Sequence, residues 1–176
     1  MAASTTITET KDADNIMLGL GVLGLADLPR TSPDTYNDVG YIKAAGFEYS
    51  REVKDFESAG VLIKRVVFRD KFSLKAEFAE VSIDTFHKII QGTKNGAGDT
   101  ETFGGHRNIT RFALRFEHTN DDGRIVQVDM FRCAPTGTFS FNFAEEDFIK
   151  YPVEFAAEAD DAMSAGQRYG RIRVLS

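Results

Sequence analysis

The chain is poor in the residues that build metal and redox chemistry. It has one cysteine, Cys133, no tryptophan and three histidines in 176 residues. A single thiol excludes an internal disulfide framework and any multi-cysteine zinc site. His87, His106 and His118 show no His-x-x-x-His spacing, so no metal site is expected. Long apolar runs are missing as well. The most apolar stretch, Ile16 to Leu25, is about ten residues, half of the roughly 20 that a spanning helix needs. Glu9, Lys11, Asp12 and Asp14 precede it, where a secretory leader would carry basic residues. A chain without membrane association, in a reducing cytoplasm, is the expectation. Positive charge is scarce too: 21 Lys and Arg face 27 Asp and Glu, a net charge of −6. That balance argues against a protein that grips nucleic acid by its phosphates.

What is present is phenylalanine, 15 copies of it, and a period of two. Phe72, Leu74, Ala76 and Phe78 alternate with Ser73, Lys75 and Glu77, the mark of a half-buried strand. Phe112, Leu114 and Phe116 repeat the pattern, as do Phe139, Phe141 and Phe143. Tyr41 to Phe56, Val61 to Arg69, Arg124 to Ala134, Tyr151 to Ala159 and Gly170 to Leu175 read as further strands. Asn120-Asp-Asp-Gly123 marks a hairpin. One helix is expected after Ser82 as N-cap, with Asp84 in its first turn, Ile83, Phe86, Ile89 and Ile90 on one face and Gly92 as its stop. Residues 144–150 read as a short acidic turn or helix.

About eight strands and one helix, with turn signals roughly every ten residues, predict a mainly β protein: an antiparallel β-sandwich or barrel with one flanking α-helix. Residues 1–15, small and polar, read as a flexible N-terminal arm, and residues 16–176 as a single domain. Phe139, Phe141, Phe143, Phe148 and Phe155 are assigned to the core.

The chemistry-bearing motifs are weak. Gly19-Leu-Gly-Val-Leu-Gly24 matches a dinucleotide fingerprint, but that motif needs a helix starting at the glycines, and Pro29 follows with no helical period. A glycine-containing strand packed closely against another element is the better reading. The glycine-rich loop from Thr93 to Gly105 lacks a Gly-Lys-Ser/Thr ending and reads as a surface or contact loop. Cys133 reads as a small buried thiol. No enzyme and no cofactor is expected. Charge is informative in one place. Between residues 144 and 162, seven acidic residues face Lys150 alone, whereas the end of the chain carries Arg168, Arg171 and Arg173. Such asymmetry is either a solvated face or two complementary halves of a self-contact.

Three stretches give the sequence a resemblance to a known family. A polar arm leads into Asn15-Ile-Met-Leu-Gly-Leu-Gly. Asp38-Val-Gly-Tyr-Ile-Lys leads into Phe47-Glu-Tyr-Ser-Arg-Glu-Val-Lys-Asp-Phe-Glu-Ser. Phe141-Asn-Phe-Ala-Glu-Glu-Asp-Phe-Ile-Lys-Tyr-Pro-Val-Glu-Phe-Ala-Ala follows later. Their order resembles the tail tube (major tail) proteins of long-tailed bacteriophages over most of residues 15–160. The resemblance implies a structural virion protein that assembles with itself into stacked, hexameric rings, a hollow tube through which DNA passes without specific binding. It implies tape measure and tail-terminator proteins as partners, assembly in the host cytoplasm and residence in the virion tail. Under it, Glu48 and Glu52, and more weakly Asp129, are expected to face the lumen, where negative charge repels phosphates. Self-association is expected at the arm (Thr5 to Asp14), the hairpin tip (Asp55 to Gly60), the glycine-rich loop (Asn95, Gly98) and the basic tail (Arg171, Arg173). The alternatives are a contractile-tail or secretion-system tube protein, a monomeric β-sandwich binding module, and an enzyme using the Gly19–Gly24 motif.

Overall fold

The computed structural model describes residues 21–30, 35–80, 82–105, 108–140, 142–144 and 147–175. Alternating apolar residues draw most of these into one antiparallel sheet. In chain order its strands are β1 (Val22–Asp27), β2 (Asn37–Asp38), β3 (Ile42–Ser58), β4 (Val61–Phe78), β7 (Phe112–Thr119), β8 (Ile125–Thr136), β9 (Asn142–Ala144), β10 (Asp147–Ala157) and β11 (Gly170–Leu175). Two short strands, β5 (Thr93–Lys94) and β6 (Glu101–Thr102), form a separate ladder. The order across the main sheet is β2-β1-β7-β8-β10-β4-β3, with β11 beside β8 and β9 beside β10.

The sheet curls on itself. Three strands separate Phe47 of β3 from Phe116 of β7, yet their rings meet at 5.4 Å. Inside the curl, Leu74, Ala76 and Phe78 of β4 join Leu23, Leu25, Leu114, Met130, Cys133 and Phe155, all buried. The one helix among the described residues, α1 (Ile83–Ile90), closes one side. Its apolar stripe sends Phe86 and Ile89 into the core, where Phe86 meets Tyr151 at 5.2 Å and Phe139 at 5.7 Å. Tyr151 stacks on Phe78 and donates its hydroxyl to the Glu80 carbonyl at 2.6 Å. The mainly β reading with one flanking helix therefore holds.

Details differ from expectation. The helix is where Ser82 and Asp84 placed it, but the Ser82 side chain makes no cap hydrogen bond, and Gln91, with φ of 56°, ends it one residue before Gly92. The runs Val61 to Arg69 and Phe72 to Glu80 are joined in one strand, which ends at Phe78. A bulge at Glu52/Val53, opposite Arg69 and Val67, shifts the alternation without breaking the ladder. The acidic turn expected over 144–150 is cut short, because β10 already begins at Asp147. Phe155 is in the core and Phe139 packs against it. Phe141 lies outside the described residues, and the side chains of Phe143 and Phe148 do too. The arm, residues 1–15, lies outside them as well.

Candidate assembly surface

The longest pair of strands in the protein is also its least buried part. Strand β10 accompanies β4 only from Ser73 to Phe78, so, among the described residues, 61–72 of β4 ladder with β3 alone. Beyond Phe72 the two strands leave the curl as a ribbon that ends in a two-residue turn. Ala59 (φ 51°) and Gly60 (φ 76°) both take the left-handed conformation that such a turn demands. Directly opposed residues share a face, so Val53 with Val67 and Asp55 with Arg65 line one side, and Lys54 with Val66 and Phe56 with Lys64 the other. Val53, Phe56, Val61, Leu62, Ile63, Val66, Val67 and Phe68 all stand between 44% and 64% exposed. Cross-strand polar contacts lie between them. Arg65 holds Asp55 through two hydrogen bonds of 2.7 and 2.8 Å, which draws the Asp55 carboxyl below its usual pKa. Arg51 donates to Asp70 at 3.0 Å. These pairs hold the ribbon's register; they do not cover its apolar residues.

At the root of the ribbon, Glu48 and Glu52 lie on the same face of β3 and are exposed. Each meets a lysine of β4: Glu48 lies 3.6 Å from Lys75, and Glu52 lies 2.6 Å from Lys71. The hydrogen bond from Lys71 holds the Glu52 carboxyl below its usual pKa. The two acids therefore lie on a face of mixed sign.

Asp129 is in a different place altogether. It has no exposed surface. The ladder aligns Arg115 of β7, Asp129 of β8 and Arg171 of β11 in one row. Arg115 donates to one carboxylate oxygen and Arg171 to the other, each at 2.7 Å, and Arg173 lies 3.5 Å away. Gln127 donates at 2.8 Å. Burial alone would raise the Asp129 carboxyl, but the hydrogen bonds from Arg115, Gln127 and Arg171 outweigh it and hold the pKa below the usual aspartate value. The aspartate therefore fastens the last strand to the sheet and presents nothing to a lumen. Arg171 and Arg173 are engaged inside their own chain in the same act. Part of the acidic run is likewise matched internally: Glu158 accepts from Arg111 at 2.8 Å and lies 3.3 Å from Arg132, and Asp161 lies 3.4 Å from Arg168.

The glycine-rich loop is a compact hairpin built on Asn95. Its side-chain oxygen accepts from the backbone of Gly98, Asp99 and Thr100, and its amide donates to Asp99. His87 faces Glu101 at 3.1 Å, which ties the loop to α1. Of the Gly19–Gly24 motif, Gly21 and Gly24 are described. A side chain at Gly21 would stand 2.2 Å from the Glu117 carbonyl and 2.6 Å from the Phe116 ring. The glycine is there for close strand packing, and β1 carries it into a sheet with no helix following. Thr5 and Asp14 lie outside the described residues. Sequence reasoning missed the apolar residues of the ribbon. Their signal was a run rich in β-branched residues, Val61 to Phe68, broken by Lys64 and Arg65 so that both faces carry apolar side chains.

Among the described residues, no three His, Cys, Asp or Glu side chains gather as a metal site would require. No protein-family model matches the chain, and no curated protein matches it in sequence. Solved structures do resemble it. A chain of the anti-feeding prophage (AFP) baseplate, six-fold symmetrised, superposes with a TM-score of 0.55 at 10% identity, over 95% of this chain and 97% of that one. A chain from the tail of an empty GTA particle with C6 symmetry reaches a TM-score of 0.43 at 17% identity, over 88% and 96%. At this identity the first likeness is one of fold; the second is too low to carry an argument.

Proposed function

We propose that this chain is a structural subunit of a phage-type tail, a protein that works by assembling with copies of itself into stacked, hexameric rings around a channel for DNA. One observation carries the reading. A two-stranded ribbon has no stability of its own in water, and its long free edges and apolar faces invite pairing. Here such a ribbon projects from a well-packed core with eight large apolar residues uncovered. A closed ring of identical copies removes those edges by supplying each with the same partner. The fold's likeness to a chain from a six-fold symmetrised baseplate supports that arrangement. In this reading the hairpin tip around Asp55 and Gly60, the Asn95–Gly98 loop and the segment Thr5 to Asp14 bridge successive rings. The face bearing Glu48 and Glu52 lines the channel, and tape measure and terminator proteins set the tube's length. The subunit assembles in the host cytoplasm and ends in the virion. Asp129, Arg171 and Arg173 hold the subunit together and are not part of the contact surface.

Electron microscopy of the concentrated protein, alongside its light-scattering mass, tests the reading. Rings or hollow tubes are expected, and Phe56→Ser with Leu62→Ser abolishes them while leaving the fold intact. Assembly undisturbed by that double substitution would overturn it. For the channel face, Glu48→Lys with Glu52→Lys slows DNA release from assembled particles; unchanged release removes these residues from the lumen. A second reading, a ring within a baseplate, is favoured by the source of the matched chain. It predicts short stacks of fixed height in place of long tubes.

A further inference from the structure

The sequence has six asparagines, and Asn95 alone is followed by glycine. An asparagine side chain and the next backbone nitrogen can close into a cyclic imide. Glycine hinders that closure least, because it carries no Cβ and its backbone turns freely. The pair sits in the turn between β5 and β6, with both residues exposed to water. Around Gly96 there is open space: a Cβ built there would meet nothing within 4 Å.

The Asn95 amide is held at both ends. Nδ2 donates to the Asp99 carboxylate at 2.6 Å, which fixes the end of the amide that is oxygen. Oδ1 then accepts from three successive backbone N–H groups, those of Gly98 at 2.8 Å, Asp99 at 3.1 Å and Thr100 at 3.3 Å. Gly98, with φ of 78°, takes the left-handed conformation that lets such donors converge as an anion-holding nest. Backbone donors aimed at one carbonyl oxygen are what stabilises an oxyanion, and they are in place before any reaction begins.

We infer that Asn95 is a site of self-modification, at which the folded loop promotes conversion of the asparagine to aspartate and isoaspartate. The Gly96 nitrogen gives its proton to solvent base and bonds to Asn95 Cγ. The carbonyl electron pair moves onto Oδ1, where the three N–H groups receive the charge. As that pair returns, the bond from Cγ to Nδ2 breaks, and Nδ2 takes a proton from water and leaves as ammonia. A second water opens the imide at either carbonyl and leaves a carboxylate on the side chain or on the main chain. Nothing is oxidised or reduced; the sum is hydrolysis of one amide. Either product places a second carboxylate beside Asp99 where a hydrogen bond stood. Isoaspartate also lengthens the main chain at the turn, which the Thr93–Thr102 and Lys94–Glu101 ladder cannot follow. Under the assembly reading, on which this consequence alone rests, the loop bridges rings, and conversion withdraws ageing subunits from stacking.

Peptide mapping of the full-length chain by mass spectrometry, during incubation at neutral pH, tests the inference. Conversion is expected at Asn95 and not at Asn37 or Asn120, each of which precedes aspartate. It should run several-fold faster in native buffer than in urea, where the same Asn-Gly pair has lost its three donors. Asp99→Ala, which frees the amide, slows the native reaction and leaves the rate in urea unchanged. Gly96→Ala, for which the loop has room, suppresses conversion in both. A native rate at or below the rate in urea overturns the inference, as does a native rate unmoved by either substitution. The assay reads dilute monomers. A stable Asn95 therefore leaves the assembly reading standing, and a chain that never forms tubes leaves the modification standing.

Discussion

Strand β4 lives in two environments. From Phe72 to Phe78 every second side chain is buried in the curl and its neighbours face water. From Val61 to Lys71 the same backbone carries Val61, Leu62, Ile63, Val66, Val67 and Phe68, all exposed. The distal half is no less hydrophobic than the proximal one. What changes is the partner: β10 and the core on one side of Phe72 and, among the described residues, β3 alone beyond it. Hydrophobicity that a monomer does not bury is stabilising energy left over for association. The two halves should therefore respond oppositely to mutation, the proximal half through folding and the distal half through assembly.

The largest effect is expected in the proximal region. Phe155, wholly buried and directly opposite Leu74, should cost about 3–5 kcal/mol on truncation to Ala, read as a shifted urea midpoint with the slope unchanged. Asp129→Asn follows. It leaves Arg115, Arg171 and Arg173 around a neutral amide and should cost about 3 kcal/mol, loosening β11 first by amide exchange. The same residue gives the fold a pH dependence of defined sign. Its carboxyl is depressed in the folded state, so its contribution is complete above the ordinary aspartate range and is lost as pH falls through the folded pKa. Acid unfolding of the Asn variant should be correspondingly flatter between neutral and acid pH. A smaller effect of opposite direction belongs to the turn of the ribbon. Ala59→Gly removes a left-handed alanine and should gain about 1 kcal/mol by thermal melting, provided the ribbon melts with the rest. A null result there would mean that the ribbon unfolds separately. Smallest for the monomer is Leu62→Ser, within about 0.5 kcal/mol, because the side chain is already half in water. Its cost should appear only as lost self-association by sedimentation. If Leu62→Ser destabilises the dilute monomer as Phe155→Ala does, the distinction between the two halves of β4 fails.

How much of this was legible in the sequence depends on how local the cause is. The alternation of Phe72 to Phe78, the helix opened after Ser82 and the Asp-Gly hairpin at 120–123 are each set by residues a few positions apart, and they hold. Strand β11 was also bounded correctly, at Gly170 and Leu175. The bulge that fuses Val61–Arg69 with Phe72–Glu80 was not legible, because a shift of parity looks the same as an end in a one-dimensional pattern. Asp129 was misleading for a different reason. Its neighbours along the chain say only that it sits on a strand. That Arg115 and Arg171 stand beside it follows from the register of three strands up to 42 residues apart, which no local spacing reveals. The arm and its contacts, Thr5 and Asp14 among them, remain proposals.

Cys133 has zero exposure, and burial among apolar neighbours pushes its thiol up to about 12, so at neutral pH it holds its proton and offers no attackable sulfur. For anyone wishing to watch this protein at work, that makes the natural chain a blank page. A cysteine introduced at the ribbon tip, for instance Ser58→Cys, becomes the sole address for a maleimide dye. One fluorophore per subunit, at a known point on the molecule, turns the proposed self-association into a signal that can be counted copy by copy.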